Sequence, residues 1–543
     1  MENSLVSPQE HRFNVQLRQA MRLKIFAILQ RKMEIHGIRT KLLSLSCFLE
    51  MKLMNLAKSE EEYSDLRDLE VRVDHVLNEL KDQRCGMRNV SDGGINALPD
   101  SLLTQILLWL PTKVSARTSV LSSRWRNLWL HVPGLELDFS NFLSLPRGGI
   151  NNLVDRFMES RLQKLKIKYF DCNASLYRIS KLIATVVSRG VEHLAVESSP
   201  RFRDTSSFMP LDIYKSKTLV SLKLAYVGME NPGFVISLPC LRSMHLESII
   251  YSNGDPLIIE NLISGCAVLE DLEVCWGGSD DNLLVLRVRS QSLKRFSVRS
   301  SPLRISSGRE YAVEIDAPGL KYINFRDEQS DRVVVKNLSS LFMIDIDAKL
   351  NVEKMKNGVI SGFLGGVSGV RHMIISQPTL EVLHPYFKQG TIKFLYLFRL
   401  EASFCNLLLQ VLPDFLESFP NLKHLTLCLV YTKELEPEAL ELTIVPKCLL
   451  SSALECVEIR EVTTGGGETG KKRARNGKRT VLMHKKRIWM EAVRYVLENS
   501  LLLKKLVLCF SPKTIKASEI SKSLDTFTKR SPKCEILIRW TPL

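Results

Sequence analysis

Leu219-Val220-Ser221-Leu222-Lys223-Leu224 runs apolar, two residues, apolar, one residue, apolar. Its last two apolar positions alternate with polar neighbours, the period of a strand with one buried face. Toward the C-terminus the phrase returns as Leu241-Met244-Leu246, Leu269-Leu272-Val274, Leu293-Phe296-Val298, Leu320-Ile323-Phe325 and Leu341-Ile344-Ile346. It continues as Val370-Met373-Ile375, Ile392-Leu395-Leu397, Leu422-Leu425-Leu427, Leu454-Val457-Ile459 and Leu503-Leu506-Leu508. Toward the N-terminus, Leu162-Leu165-Ile167 and Val191-Leu194-Val196 also fit. From Leu219 the starts are separated by 22, 28, 24, 27, 21, 29, 22, 30, 32 and 49 residues.

Most of these intervals fall in or close to the period of about 20–29 residues that marks leucine-rich repeats. Stacked strands of this kind form a parallel sheet lining a curved solenoid. Helical patterns between strands, as in Ile258–Leu269 and Leu407–Phe419, suit the convex side. The expected fold class is therefore α/β, an irregular solenoid of parallel strands with convex helices. It should be uneven, because no regular Asn marks the turns. An ordinary α/β domain with spaced strands is the alternative, since apolar triplets also arise by chance. Lys223, His245, Glu273, Lys294, Lys321, Asn324 and His424 take outward positions. The concave row they form is where a ligand would lie, although each taken singly reads as a solvated face.

Upstream stands Leu98-Pro99-Asp100-Ser101-Leu102-Leu103, which opens a helix with Pro near its first turn, where a missing N–H costs nothing. Leu102, Leu103, Ile106, Leu107 and Leu110 form a broad apolar face until Pro111 stops the helix. A second short helix is expected over about Ser115–Leu121. A third, from Ser122 or Ser123, carries Trp125, Leu128 and Trp129. Three short helices cannot enclose that many large apolar side chains among themselves. The surplus implies a partner interface or the start of a larger core.

The run Leu98-Pro99-Asp100-Ser101-Leu102-Leu103, Ile106-Leu107, Leu110-Pro111-Thr112-Lys113 and Arg117 to Trp129 closely resembles the F-box of plant F-box proteins with leucine-rich repeats. The resemblance implies docking onto a Skp-family adaptor, which joins such receptors to a cullin and a RING subunit. The positions that match the family's docking surface are Leu98, Pro99, Leu102, Ile106, Leu107, Leu110, Pro111, Val120, Leu121 and Trp125. Two positions depart from the pattern: Val114 replaces the Asp that would cap the second helix, and Ser123 replaces a Lys. A lost cap costs about 1 kcal/mol, which Thr112 or Ser115 is placed to offset. Near the C-terminus, Leu409-Gln410-Val411-Leu412-Pro413, Leu416 to Lys423, Val445 to Ser452 and Val496 to Leu506 resemble the FBD region of the same family. The domains expected are a charged helical extension over 1–90, an F-box over 91–142, repeats over 143–440 and an FBD region over 441–543. The extension carries an amphipathic stripe of Leu66, Leu69, Val73, Val76 and Leu80, more suited to packing on its own domain than to a long coiled coil.

The 543 residues exceed one ordinary core, and 45% apolar with 25% charged residues is a globular composition rather than a disordered one. Of the formal net charge of +16, nine positive charges fall between Lys471 and Arg487 with no acid among them. The rest of the chain is too weakly basic for a dedicated nucleic-acid surface. The 49-residue interval contains this tract, so an exposed loop insertion over 464–487 is expected. Lys471, Lys472, Arg473 and Arg475, then Lys485, Lys486 and Arg487, resemble the two halves of a bipartite nuclear import signal read on an extended segment. Gly465 to Lys472 nearly spells a phosphate-binding loop, but Lys472 stands where a magnesium-ligating Ser or Thr is needed.

The twelve cysteines are scattered singly with no C-x-x-C pair, which fits reduced thiols in the cytosol or nucleus and offers no zinc spacing. No leader, membrane span or catalytic fingerprint is legible, so neither a membrane nor a cofactor is expected. The expected function is a non-catalytic target receptor of a Skp–cullin–F-box ubiquitin ligase in the nucleus, the cytoplasm or both. A non-proteolytic repeat scaffold and a nucleic-acid-associated nuclear regulator are the alternatives.

Overall fold

The computed structural model describes residues 98–138, 162–169, 173–198, 208–252, 257–276, 283–300, 311–349 (except 329), 357–388, 392–430 (except 407), 449, 454–462, 475–511 and 517–540, together with 21, 24–25, 53, 65 and 68–74. The chain forms two compact units, Met1–Ile106 and Leu107–Leu543.

In the first unit Met21, Ile25, Leu53, Leu69 and Val73 are buried. Leu69 and Val73 lie four apart on the helical residues 69–74 and share a face, whereas Val71 is exposed. That part of the amphipathic stripe is covered by the chain itself. Leu66, Val76 and Leu80 lie outside the described residues.

Helix α1, Asp100–Leu108, begins directly after Pro99, whose carbonyl accepts the Leu102 and Leu103 amides, and it runs across the boundary between the units. In the second unit α2 is Thr112–Arg117 and continues as a 3-10 turn over Thr118–Val120. Helix α3 is Trp125–Leu128, followed by a 3-10 turn over Trp129–His131. Pieces this short are marginal by themselves and depend on packing.

The strands follow in chain order. They are Gly134–Asp138 (β1), Lys164–Lys168 (β2), His193–Glu197 (β3), Ser221–Ala225 (β4), Gly228–Met229 (β5), Ser243–Glu247 (β6) and Ile250–Tyr251 (β7). Next come Asp271–Trp276 (β8), Val285–Arg289 (β9), Arg295–Ser300 (β10), Ala312–Asp316 (β11), Tyr322–Arg326 (β12), Arg332–Lys336 (β13) and Met343–Ile346 (β14). The last are His372–Ile375 (β15), Arg399–Cys405 (β16), His424–Val430 (β17), Cys456–Val462 (β18), Lys505–Phe510 (β19) and Glu535–Trp540 (β20). Fifteen of them form one parallel sheet in the order β1-β2-β3-β4-β6-β8-β10-β12-β14-β15-β16-β17-β18-β19-β20. Within this sheet each strand pairs with the one before and the one after it in chain order, other strands being set aside on the return path, which is the signature of a stacked solenoid. Leu222 aligns with Met244 and Leu246 with Val274, so the repeated triplets form continuous buried rows.

The opposite layer holds α4 (Asn173–Ser188), α5 (Ile258–Ser264), α6 (Asn357–Gly366), α7 (Gln377–Lys388), α8 (Leu412–Leu416), α9 (Arg475–Asn499) and α10 (Ala517–Asp525). Strands replace helices in the middle repeats, where β9, β11 and β13 form a second parallel sheet. There the alternating Leu286-Val288, Val313-Ile315 and Val333 contribute to the same core.

The structure changes several boundaries expected from sequence. The phrase Ile392-Leu395-Leu397 is not a strand: Leu395 is exposed, and the inward positions are Leu397, Leu400 and Ala402 around β16. The small Ala402 concealed the true frame. With it, Val370 to Leu397 spans 27 residues and Leu397 to Leu422 spans 25, so the irregular interval disappears. Val132, Leu135 and Leu137 form a first triplet inside the stretch assigned to the F-box. The last strand was hidden because Lys533 takes its first position. β18, β19 and β20, in the stretch expected as the FBD region, extend the same sheet. The basic tract is not wholly a loop, since from Arg475 onward its backbone belongs to α9.

Candidate functional site

Three elements bring the F-box residues to the surface or hold them inside. In the first unit Pro99, Leu102 and Ile106 are exposed, Leu98 is half-buried, and Leu103 is fully buried. In the second unit Val120 is 87% exposed and Leu121 60%, Pro111 is exposed, and Leu110 is half-buried. Leu107 and Trp125 are the exceptions among the expected docking residues, each only 1% exposed. Both support the helices from inside. The same amphipathic pattern that marked them as apolar also sent them to the core.

α2 has no side-chain cap. Thr112 does not offset the loss: its hydroxyl accepts the Glu136 amide of β1 at 2.7 Å. Nor does Ser115, whose buried hydroxyl donates to the Leu107 carbonyl at 3.0 Å, while Thr118 Oγ1 donates to Ser115 O at 2.6 Å. These polar side chains fasten helix to helix and helix to sheet. Leu108 presses on β1 as well, its Cδ1 lying 2.5 Å from where a Cβ on Gly134 would stand. Trp109 was not singled out from sequence, yet it is 88% exposed. Its exposure follows from its place directly after α1, on the side away from Leu103 and Leu107.

The concave row is laced by cross-strand ion pairs. Lys166 pairs with Glu136, and Lys168 with Glu197 at 2.7 Å, which holds the Lys168 ammonium above its ordinary range. His245 Nδ1 lies 2.7 Å from one Glu273 oxygen, and Arg299 meets the other. Burial pushes the Glu273 carboxyl up, but His245 and Arg299 outweigh it and hold the group below the usual carboxylate range. Arg295 pairs with Asp271 of the neighbouring strand at 2.6 Å, whereas Arg460 pairs with Glu458 of its own strand at 2.7 Å. Lys223, Asn324 and His424 occupy the same face of β4, β12 and β17. Lys294 and Lys321 lie just before β10 and β12, on the rim.

Against the first strands lies a cleft of about 660 Å³, bounded by Trp109 and Pro133 and floored by β2, β3 and β4. Lys164, His193 and Lys223 project from the floor as exposed side chains.

Among the described residues, no group of three or more His, Cys, Asp or Glu side chains is placed to hold a metal ion. Burial raises the Cys428 thiol to about 12 and the Cys509 thiol to about 11, so neither is a nucleophile at neutral pH. No helix among the described residues is long and apolar enough to cross a membrane. Of the basic residues, Lys471, Lys472 and Arg473 lie outside the described residues, and Arg475 and Lys485 are placed on the backbone of α9. Lys486 pairs with Glu519 of α10 at 2.7 Å, and Arg487 is exposed. The second basic cluster is therefore helical rather than extended.

An F-box domain profile matches residues 95–136. The profile for the LRR repeats of the FBD-associated F-box protein At5g56370 matches residues 179–346. The F-box/FBD/LRR-repeat protein At2g26030 of Arabidopsis thaliana is 46% identical over 464 residues, 81% of this chain and 98% of the relative. The F-box/FBD/LRR-repeat protein At1g13780 of the same plant is 44% identical over 475 residues, 82% of this chain and 97% of the relative. The chain belongs to the F-box/FBD/LRR-repeat family. The FBD-associated F-box protein At5g27750, also from Arabidopsis thaliana, is 41% identical over 82% of this chain. An F-box is the module by which proteins of this family engage a Skp-type adaptor, so a substrate-adaptor role in ligase complexes is supported in general terms.

Proposed function

We propose that the chain is the target-recognition subunit of a Skp–cullin–F-box ubiquitin ligase. One observation carries the reading: on α1 Leu102 and Ile106 are exposed beside buried Leu103 and Leu107, and Val120 and Leu121 are exposed ahead of the buried Trp125 and Leu128 of α3. Large aliphatic groups held at the surface by a well-packed interior mark a partner interface. A Skp-type adaptor covers them, and the cullin and RING subunit follow through the adaptor. The repeat face holds a target protein. This chain contributes proximity, raising the target's effective concentration at the conjugating enzyme, and the ligation chemistry lies in other subunits. The complex works in the nucleus, the cytoplasm or both, and the charge of the Lys471–Arg487 tract supports import.

Co-purification tests the reading. The intact chain is expected to retain both adaptor and cullin. The double variant Leu102→Asp/Val120→Asp is expected to lose adaptor affinity by about a hundred-fold, each lost anchor being worth 1–2 kcal/mol or more, with an unchanged melting temperature. Retention of the adaptor by that variant overturns the docking assignment. Adaptor without cullin in the wild-type preparation replaces the ligase with a non-proteolytic scaffold.

A further inference from the structure

We propose that the cleft between Trp109 and the first strands of the sheet binds a short, extended acidic segment of a partner protein. The inference deepens the target-receptor reading and rests on it for the partner's identity, but the binding chemistry stands on the cleft alone.

Three observations meet there. The cleft measures about 660 Å³, within the range of about 300–1,000 Å³ typical of ligand sites. Its wall is a tryptophan 88% exposed, while Trp125, Trp276 and Trp489 are 1–3% exposed. A large aromatic held open beside a groove is a common anchor for a partner's apolar side chain. The charges on the floor are unequal in their commitments. Lys166 is held by Glu136, and Glu197, the acid in the lining, is held by Lys168. Lys164 and Lys223 are exposed and have no ion-pair partner among the described residues, and His193 projects between them. The unneutralised charge of the cleft is therefore positive.

The spacing selects an extended ligand. Lys164 on β2 aligns with His193 on β3 and Ser221 on β4, two positions before Lys223. With about 4.8 Å between strands and about 3.3 Å per residue along them, the two lysines originate about 12 Å apart. That is about three to four residues of an extended chain. The fitting segment carries two carboxylates at that separation, with an aliphatic or aromatic residue between them for Trp109. A nucleic-acid backbone fits less well, because two lysines and a histidine neutralise few phosphates and the strands beyond offer paired charges rather than a continuous basic track.

Fluorescence anisotropy with the full-length chain tests the proposal. One probe is a labelled peptide with glutamates at every third position around a central leucine. Its counterpart carries lysines in their place. The acidic probe is expected to bind saturably and to weaken with added salt. Lys164→Glu/Lys223→Glu is expected to weaken it by about ten-fold, as two partly exposed pairs turn repulsive, and to reverse the preference in favour of the lysine probe. That gain of binding cannot arise from unfolding. Trp109→Ala is expected to weaken the acidic probe. Equal affinity of the acidic probe for wild type and the double variant, or wild-type binding of the lysine probe as tight as that of the acidic one, overturns the proposal. Adaptor co-purification is read on the same variants and is expected to be unchanged. Its loss in wild type counts against the ligase reading, and loss of peptide selectivity alone counts against the cleft.

Discussion

In the strands of the long sheet an apolar residue at an inward position is covered: Leu222, Leu224, Leu246, Val298 and Ile344 are each 0–1% exposed. In the F-box helices apolar residues divide. Leu103 is 0% exposed and Leu102, its neighbour, 44%; Trp125 is 1% and Trp109 88%. In this solenoid the parallel sheet is covered on one face by the second layer and open on the other, as the alternating burial of its strands shows, so pattern and burial coincide. A short amphipathic helix offers a wider apolar arc than its neighbours cover, and the remainder is available to a partner. The repeat region thus uses apolar residues for stability, whereas the helical end uses some for stability and reserves others for association.

The strongest way to break this comparison is to remove apolar side chains from both places. Phe415 packs with ring centroids 4.9 Å from Phe387, 4.9 Å from Phe419 and 5.6 Å from Phe404. Phe415→Ala is expected to cost about 3–5 kcal/mol by leaving a cavity among rigid rings. Val120→Asp removes an apolar side chain from the surface and is expected to shift stability by no more than about 0.5 kcal/mol, while adaptor affinity falls. Urea-unfolding midpoints of the two variants measure the difference. Equal shifts would mean that Val120 belongs to a core and that the division is wrong. Trp125→Ala belongs with Phe415→Ala, since it empties a buried site, and it is a poor probe of docking.

A smaller effect is expected where the stacked repeats touch backbone to backbone. Gly265 follows α5, and its carbonyl accepts the Leu238 amide of the preceding repeat at 2.9 Å. A Cβ there would stand 2.6 Å from the Ile236 carbonyl oxygen, a backbone atom that cannot swing aside. Gly265→Ala is expected to cost about 1–3 kcal/mol through overpacking. At Gly134, on the first strand, the obstructing atom is instead the end of the Leu108 side chain, so Gly134→Ala should be milder. Differential scanning calorimetry orders the two variants, and the reverse order would remove close repeat stacking as a source of rigidity.

The same contrast explains what could be read from sequence. The triplets survive because inward strand positions tolerate few residue types. They fail where a small or charged residue intrudes, as at Ala402 and Lys533. The convex strands β9, β11 and β13 were not legible because the concave phrase sets the period and the return path is free to vary. α9 was concealed at its start by Gly477 and nine crowded cations, although Ile488, Trp489, Ala492, Val493 and Val496 are buried along its second half. At the F-box the apolar residues were evident, but which of them face outward depends on packing. Trp109 and Trp125 have the same side chain and opposite fates. The cleft beside Trp109 joins residues from α1's end and three separate strands, and no local pattern reports that.

The smallest expected effect concerns the concave face, where polar residues take the place of apolar ones as neighbours across strands. Glu273 binds His245 from β6 and Arg299 from β10, and its folded-state carboxyl titrates below the ordinary value of 4.5. A group depressed on folding contributes stability that is present above its unfolded pKa and lost as the pH falls through the folded one. The contribution is therefore complete at neutral pH and declines below about pH 4.5. Glu273→Gln is expected to lower the melting temperature modestly at neutral pH, because these pairs are partly exposed and screened. It should also flatten the loss of stability on acidification, so that the wild-type and variant curves converge in acid. Curves that remain parallel from neutral to acid pH would show that Glu273 acts through packing rather than charge. The concave ladder would then be a solvated surface whose charges add little to folding.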